Sequence, residues 1–368
     1  MAREMTKRER VERTMDFQET DRVPIYDLLR CDAAFEHFSG EKLPALSEDP
    51  NTAKKLDRIV CKAVGRFLDM TRSVGFGPLA EKDTEDAFGF VHHHAPFLKT
   101  SWIVKRPFDE EQGAMAFVET WTEKVGERTR HIRSHEASIR ATYHEAFLKR
   151  KERMEDTVEL LAQHGTGLDS LRHLLGVELF TYVYADEPGL ISDAMEALTE
   201  QNVAVCHAIA DAELSPVVLT YGDIACKDRL LHSPAFLRKE FFPRVKRLND
   251  AWHEHKTRCL FHSDGNLMEV MDDLIETGMD GLNPIETVAG MDLKTVREKV
   301  GDKVFLAGGI DMSQLLSNGT PDEVREVCRQ AIEDAYPGYF IGSTTEADNS
   351  CTLENLLAMQ EVVMEGVH

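Results

Sequence analysis

The chain contains 368 residues, of which 42% are hydrophobic and 29% are charged. This balance supports a sizeable core and is typical of one large α/β barrel or of two smaller domains. The 43 Lys+Arg are outnumbered by 65 Asp+Glu, which gives a formal net charge of −22. Because nucleic acids and anionic membranes attract cationic proteins, this charge argues against both as partners.

The amino terminus and the cysteines indicate a compartment. Residues 1–10 are charged and lack the apolar stretch of a signal peptide. No apolar run approaches the roughly 20 residues that span a bilayer. The seven cysteines are scattered and form no CxxC pair, which is the pattern of reduced thiols. We therefore expect a cytoplasmic protein without a disulfide framework.

The first half of the chain contains few regular signals. Short β-prone runs at residues 23–26 and 179–184 are candidate strands. A basic, polar stretch after Glu123 lacks Gly and Pro beyond Gly126, which predicts exposed helices inserted near residues 123–160. The three histidines at positions 92–94 are predicted to lie in a solvated loop.

The second half alternates short apolar runs with helix-like runs, as a parallel sheet requires. Strands are predicted at residues 216–221, 258–262, 281–283, 304–307 and 339–341. Ser233 and Thr320 each precede a proline and are predicted to cap helices. No GxGxxG follows the first strand, which argues against a dinucleotide-binding fold. We predict a (β/α)8 TIM barrel that forms one domain over residues 1–368, with N-terminal and inserted helical segments.

Polar side chains follow five of the predicted strands. In such barrels the catalytic groups lie at the carboxyl ends of the strands. The strand ends in this sequence contain Asp223, His262, Asp264, Asn283, Glu286, Gly308, Gly309, Asp311 and Glu346. An imidazole among carboxylates suits zinc or another divalent ion, and it also suits acid–base chemistry. The sequence therefore predicts a reactive cavity at one rim of the barrel.

Each of these residues also has a structural explanation. Asp264 could cap the following helix, and Asp223 could pair with a nearby lysine. His262 could be a hydrogen-bonded core histidine, and Gly308 with Gly309 could form only a tight turn. The convergence of five successive strand ends favours a site over these separate explanations.

Motifs of one family recur along the chain. They are Arg8-Glu9-Arg10-Val11, Asp21-Arg22-Val23-Pro24-Ile25, the run FHSDGN at 261–266, the run GMDGLNPIE at 278–286, and GGID at 308–311. Taken in this order, they resemble the uroporphyrinogen decarboxylase-like superfamily, which includes the decarboxylase and corrinoid-dependent methyltransferases. The resemblance implies a (β/α)8 barrel and one of these two chemistries.

One departure concerns the decarboxylase branch. Its members carry an arginine-rich stretch after the first strand, which holds the substrate carboxylates. Here residues 26–32 retain only Arg30, between Asp27 and Asp32. The opening of the barrel would be acidic and would lack the arginine side chains that pair with the many carboxylates of a porphyrinogen.

A second departure concerns the zinc-thiol methyltransferases, which use a His-x-Cys pair and a later Cys. His262 matches this pattern, but Asp264 stands at the first Cys and Ser343 lies near the second. The resemblance therefore implies an oxygen-rich site. Such a site makes a harder Lewis acid, which is suited to polarising an ether or phenolic oxygen.

The sequence thus predicts a methyltransferase that moves a methyl group from a small methylated substrate, such as an aryl methyl ether, to cobalt. The corrinoid is supplied by a partner protein, and zinc or another divalent metal is the expected cofactor. His262, Asp223 and Asp264 are the predicted catalytic residues. The predicted metal ligands are His262, Asp264 and Glu346. The predicted substrate-binding residues are Asp27, Asn283, Glu286, Gly308, Gly309 and Asp311.

Two alternatives stay open at this point. One is a metal-free decarboxylase that acts on a tetrapyrrole or another carboxylate. The other is a non-catalytic barrel that binds a tetrapyrrole or a corrinoid protein. A homodimer is a further candidate, because acidic barrels of this size often dimerise, although no interface stripe is readable in the sequence.

Overall fold

Parallel strands pair in a closed ring at the centre of the computed structural model, which describes residues 4–366. In ring order the strands are Tyr26–Asp27, Met70–Thr71, the interrupted run Val158–Glu159 and Gln163–Gly165, Val217–Tyr221, Arg258–His262, Gly281–Asn283, Phe305–Ile310 and Tyr339–Ser343. A parallel bridge between Ile25 and Ile341 joins the last strand to the first. The chain therefore forms the predicted (β/α)8 barrel.

Helices surround this ring. The helices span Lys7–Met15, Asp32–Ser39, Pro50–Phe67, Glu111–Ser134, Glu136–Lys151, Leu168–Leu175, Val177–Asp186, Pro188–Ile209, Pro234–Phe236, Phe242–Glu254, Met271–Glu276, Leu293–Val300, Pro321–Ala335 and Leu353–Met364. Ser233 and Thr320 cap their helices as predicted, since each side chain accepts a backbone N–H three residues later. Among residues 4–366, none of the helices combines the length and the apolar content that a membrane crossing requires.

Two small antiparallel elements lie outside the ring. One is a three-stranded sheet of Lys82–Glu85, Val91–Ala95 and Thr100–Lys105, and the other pairs Ala225–Cys226 with Arg229–Leu230. The central strand of the sheet contains the three histidines at 92–94. The prediction of a loop there was wrong, because these side chains make cross-strand contacts, such as that of His93 with Asp83 at 2.8 Å.

Alternate residues of the barrel strands fill its interior. This inner layer consists of Tyr26, Met70, Val158, Leu160, Val217, Leu219, Leu260, Phe305, Ala307 and Phe340. Val11 and Met15 of the first helix pack against the same layer. Because side chains alternate along a strand, His262 points the same way as Leu260, two residues further towards the carboxyl end. The apolar layer thus ends where the predicted site begins.

The strand prediction at residues 179–184 was wrong, because this segment lies within the helix Val177–Asp186. The buried residues of that helix are Phe180 and Val183, three positions apart, while Tyr182 is 50% exposed. Residues three positions apart lie on one face of a helix, whereas they would point to opposite faces of a strand. Gly176, with φ of +80°, separates the segment from the preceding helix.

Two long helices, Glu111–Ser134 and Glu136–Lys151, occupy the region where an insertion was predicted. The first begins twelve residues before the predicted boundary, because Ala114, Val118 and Val125 form a buried stripe at helical spacing. At the other boundary, Val158–Glu159 belongs to the barrel and pairs with Met70–Thr71.

A buried ionic cluster closes the amino end of the barrel. Asp69, which precedes the second strand, accepts hydrogen bonds from Arg10 at 2.6 Å and from Arg22 at 2.7 Å. It also accepts one from the backbone N–H of Ile25 at 2.9 Å. Asp21 Oδ1 accepts a further hydrogen bond from Arg10 Nε at 2.7 Å. The family motif at residues 21–25 is therefore explained by packing at the end of the barrel opposite His262.

Candidate active site

His262 lies at the carboxyl rim of the barrel with 4% of its surface exposed. Its Nδ1 lies 2.8 Å from Asn283 Oδ1, and Asn283 Nδ2 donates to the carbonyl of Ala307 at 3.2 Å. The Ala307 contact fixes the orientation of the amide, so Nδ1 of His262 is assigned as the donor to Oδ1. Nε2 therefore carries a lone pair.

Two carboxylates face this nitrogen. Asp223 Oδ1 and Asp264 Oδ1 each lie 4.0 Å from His262 Nε2. The backbone N–H of Asp264 points to Asp223 Oδ1 at 3.4 Å, while Asp264 Oδ1 is buried without a hydrogen-bond partner. Burial, followed by repulsion from Asp223 and Glu286, raises the pKa of Asp264 to about 7. The site thus contains an oxygen that is ready to accept a proton or a cation.

Arg72 is a site residue that sequence reasoning missed. Its Nη1 lies 3.3 Å from His262 Nε2, and its Nε donates to Gln163 Oε1 at 2.8 Å. Burial, followed by the positive charge of Arg72, lowers the pKa of His262 to about 4, so the imidazole is neutral near pH 7. Arg72 follows a strand of only two residues, which is too short to give a detectable β pattern.

Asp169 is a second missed residue, and it supports the loop that carries Asp223. Both of its carboxylate oxygens lie 3.2 Å from the backbone N of Asp223. Arg172 bonds Asp169 Oδ1 at 2.5 Å and the carbonyl of Asp223 at 2.8 Å. Asp169 follows the strand Gln163–Gly165, which was not predicted, so its place at the rim could not be inferred.

A cavity of about 750 Å³ opens onto the two carboxylates. Phe180, Tyr184 and Phe236 line its apolar side, while Asp223, Asp264 and Glu286 line its acidic side. Glu286 accepts the backbone N–H of Gly265 at 2.7 Å, which holds its carboxylate at this wall. A larger cleft of about 940 Å³ lies between residues 104–111 and 175–182, and none of the strand-end residues lines it.

Several predicted substrate-binding residues are already engaged by the protein itself. Asp27 is buried and bonds Ser343 N and Oγ at 2.9 and 2.8 Å, which ties the first strand to the last. Asp311 caps the turn that follows it, accepting from Ser313 N, Gln314 N and Leu315 N. Their oxygens therefore make structural hydrogen bonds, and their role in substrate binding stays a prediction.

Gly308 and Gly309 also have a structural role. Their φ angles are +107° and +92°, which favour glycine, and both residues are buried in the strand Phe305–Ile310. A Cβ at Gly309 would lie 2.6 Å from Leu293, and one at Gly308 would lie 3.1 Å from the carbonyl oxygen of Ser343. These glycines therefore allow close packing within the protein, and the approach of their backbone to a ligand stays a prediction.

Glu346 is not brought into the group of predicted metal ligands. Its Oε2 pairs with Arg30 Nε at 3.3 Å, and its charge adds only the last of the contributions that raise the pKa of Asp264. Among residues 4–366, the ligand atoms that do gather at the rim belong to Asp223, His262 and Asp264, all within 4.8 Å of one another. Asp223, which was predicted as a catalytic residue, therefore lies closer to His262 and Asp264 than the predicted ligand Glu346 does.

The donor set fits a divalent metal. Three protein ligands with an open fourth position are typical of catalytic zinc, and tetrahedral geometry needs ligand atoms about 3.3–3.6 Å apart. The present separations of 4.0 Å from His262 Nε2 require only a small contraction. The buried, unpartnered Asp264 Oδ1 and the lone pair on His262 Nε2 both point to a cation, which would displace the Arg72 guanidinium.

The uroporphyrinogen decarboxylase (URO-D) family profile matches residues 122–366, and the chain belongs to this family. The matched segment contains Asp223, His262, Asp264, Asn283 and Glu286. It does not include Arg72, which joins the site from the amino-terminal part of the barrel.

The chain is also similar to individual proteins, among them the following two. Over 182 residues the chain is 24% identical to the methylcobamide:CoM methyltransferase MtbA of Methanosarcina acetivorans. The aligned segment covers 48% of this chain and 51% of MtbA. The chain thus spans about half the length of that curated relative. A solved structure of a methyltransferase from Methanosarcina mazei superimposes with a TM-score of 0.68 at 16% identity, over 98% of this chain and 99% of the other. This likeness establishes a shared fold.

Proposed function

We propose that this protein is a methyltransferase that moves a methyl group from a small methylated compound to the cobalt of a corrinoid carried by a partner protein. The observation that carries the proposal is the group of Asp223, His262 and Asp264 at the carboxyl rim of a URO-D family barrel, where the two carboxylates line a cavity. Similarity to a methylcobamide-dependent methyltransferase supports methyl transfer over the other chemistries of this fold.

In this proposal Asp223, His262 and Asp264 hold a divalent metal, zinc being the expected ion. The bound metal supplies a Lewis acid that polarises the atom bearing the methyl group. The oxygen-rich ligand set favours a hard atom, so an ether or phenolic oxygen suits it better than a thiol sulfur. The aromatic wall of Phe180, Tyr184 and Phe236 suits a flat donor such as an aryl methyl ether.

The chain's own residues orient the reacting groups. Asn283 holds the Nδ1 proton of His262, which keeps the Nε2 lone pair directed into the site. Asp169 and Arg172 fix the backbone of Asp223. Asp264 Oδ1, which is buried without a hydrogen-bond partner, is the oxygen through which this carboxylate would bind the metal.

A decarboxylase for polycarboxylates is less well supported by the arrangement of cations. Arg30, the arginine that remains after the first strand, pairs with Glu346 and donates to the carbonyl of Lys99. Asp223, Asp264 and Glu286 outnumber Arg172 and Lys227 in the lining of the cavity, which makes it less favourable for a substrate with many carboxylates.

The test is a methyl-transfer assay with the purified protein, a panel of aryl and alkyl methyl donors, and a reduced corrinoid protein, followed by the absorbance change of cobalt methylation. The wild-type protein is expected to methylate cobalt with at least one donor. His262→Ala is expected to reduce the rate at least ~100-fold, because ligand or proton-transfer groups contribute on this scale.

The matched control is His135→Ala, which removes an exposed histidine at a helix end. This variant should methylate cobalt at the wild-type rate. Absence of methyl transfer across the whole panel, with CO2 released from a carboxylate substrate instead, would assign the barrel to the decarboxylase branch.

A further inference from the structure

A second group of metal-binding side chains lies at the amino-terminal face of the barrel, opposite His262. Cys206 and His207 occupy the last turn of the helix Pro188–Ile209, and His255 directly follows the helix Phe242–Glu254. These two helices lead into the neighbouring strands Val217–Tyr221 and Arg258–His262. The three residues therefore meet where two adjacent helix–strand units begin their strands.

The three side chains converge closely. One ligand atom from each of Cys206, His207 and His255 lies within 4.8 Å of the others, and His207 Nδ1 is 3.0 Å from His255 Nε2. Tetrahedral zinc with sulfur and nitrogen ligands needs separations of about 3.3–3.6 Å. The observed spacing brackets this value, so small side-chain rotations would complete the geometry.

Packing holds this group in place. Cys206 is fully buried in a cluster that includes Ala251 and Trp252, so the position of its sulfur is fixed by its neighbours.

A neighbouring group, His253, Cys259 and Asp280, is a weaker candidate. Asp280 Oδ2 already bonds His253 Nε2 and the backbone N–H of Cys259, both at 2.7 Å. A metal there would have to break both of these contacts. At the first group it replaces only the single contact between His207 and His255.

We propose that Cys206, His207 and His255 bind a thiophilic divalent cation of the zinc class, with water at the fourth position. The ion binds the lone pairs of His207 Nδ1 and His255 Nε2, and the proton now between them moves to the other nitrogen of its ring. The Cys206 thiol loses its proton to solvent, so one proton is released for each ion bound. The ion joins two barrel helices and is independent of the proposed reaction.

The test uses Co²⁺ as the probe, because a bound thiolate gives a sulfur-to-cobalt charge-transfer band. The full-length His262→Ala protein is titrated, so that the rim site does not compete. One equivalent of Co²⁺ is expected to bind with the band. Introducing Cys206→Ser into the same protein should remove the band, and His207→Ala should weaken Co²⁺ binding at least tenfold.

Two matched variants exclude the other thiols that lie near candidate ligands. Cys226→Ser removes a thiol lining the rim cavity, and Cys259→Ser removes the thiol of the neighbouring group; both should keep the band. Because His207 is only half-buried, its variant tests the site even if Cys206→Ser folds poorly. A titration without the band, or a band that survives Cys206→Ser, overturns the proposal.

Discussion

Asp69 and Asp264 lie at opposite ends of the same barrel, and their surroundings differ sharply. Asp69 is completely buried, and both of its oxygens accept hydrogen bonds, from Arg10, Arg22 and the backbone of Ile25. Asp264 is partly exposed at the rim, yet its Oδ1 is buried without a partner, and burial together with acidic neighbours raises its pKa. At the amino end of the barrel Asp69 has hydrogen-bond partners for both of its oxygens, whereas at the carboxyl rim Asp264 has an oxygen without a partner.

This difference separates stability from chemistry. A buried charge with all of its partners stabilises the fold only as long as every partner is present. An unpartnered carboxylate costs stability, and such a cost is typical of sites where a ligand completes the arrangement. The four predictions that follow test whether the two ends of the barrel behave in these different ways.

The largest effect is expected for Asp69, at the amino end of the barrel. Asp69→Ala leaves Arg10 and Arg22 without their shared carboxylate, and should lower the free energy of unfolding by about 3–5 kcal/mol. Denaturant unfolding followed by circular dichroism measures this change. Asp57→Ala breaks an exposed ion pair with Arg153 and serves as the control, with a cost under about 1 kcal/mol. Equal costs for the two variants would contradict the structural role of Asp69.

At the rim, the change is expected in activity. Asp264→Asn keeps the shape of the side chain but removes the charge and the titrating oxygen. Cobalt methylation should fall at least ~100-fold, which corresponds to about 2.7 kcal/mol of transition-state free energy. The free energy of unfolding at pH 8 should not fall, and metal analysis should show less bound zinc. A variant that is fully active would remove Asp264 from the site.

The pH dependence of stability should also differ between wild type and Asp264→Asn. Because the folded-state pKa of Asp264 is raised to about 7 from 3.8, the folded state binds more protons than the unfolded state between these values. The Asp264 contribution to stability is therefore present below about pH 4 and is lost as the pH rises to 7. Metal-free wild-type protein should lose more stability between pH 5 and 8 than Asp264→Asn does, as measured by urea unfolding at each pH.

The smallest effect is expected from Glu346, which pairs with Arg30 at the edge of the rim. Glu346→Gln should change the free energy of unfolding by less than about 1 kcal/mol, because both side chains are partly exposed. Its zinc content should equal that of wild type. Loss of the metal in this variant would restore Glu346 to the ligand set in place of Asp223.

Much of the barrel could be predicted because its later strands are long apolar runs with clear ends. The strands at 258–262 and 281–283 were predicted with the observed boundaries, and the polar residues that follow them include His262 and Asn283. The strands Met70–Thr71 and Val158–Glu159 have only two residues each, which is too few to show a period. Arg72 was missed for this reason.

The choice among the predicted site residues depended on contacts that are distant in sequence. Asp27 and Ser343 are separated by 316 positions and bond each other, so neither could be identified as structural from local pattern. Glu346 and Asp223 looked equivalent in the sequence, since each follows a strand. Only the pairing of Glu346 with Arg30, and the approach of Asp223 to His262, distinguishes them.

The position of the first helix bears on the order in which the methyl donor and the partner protein would bind. Val11 and Met15 pack against the inner layer of the barrel, so its floor is filled with side chains. In the proposed reaction, the donor molecule and the partner's cobalt then both reach the site from the rim. The donor would enter before the partner covers the opening, and the demethylated product would leave after the partner withdraws. Turnover would then slow at high concentrations of the corrinoid protein, because a docked partner blocks the next donor.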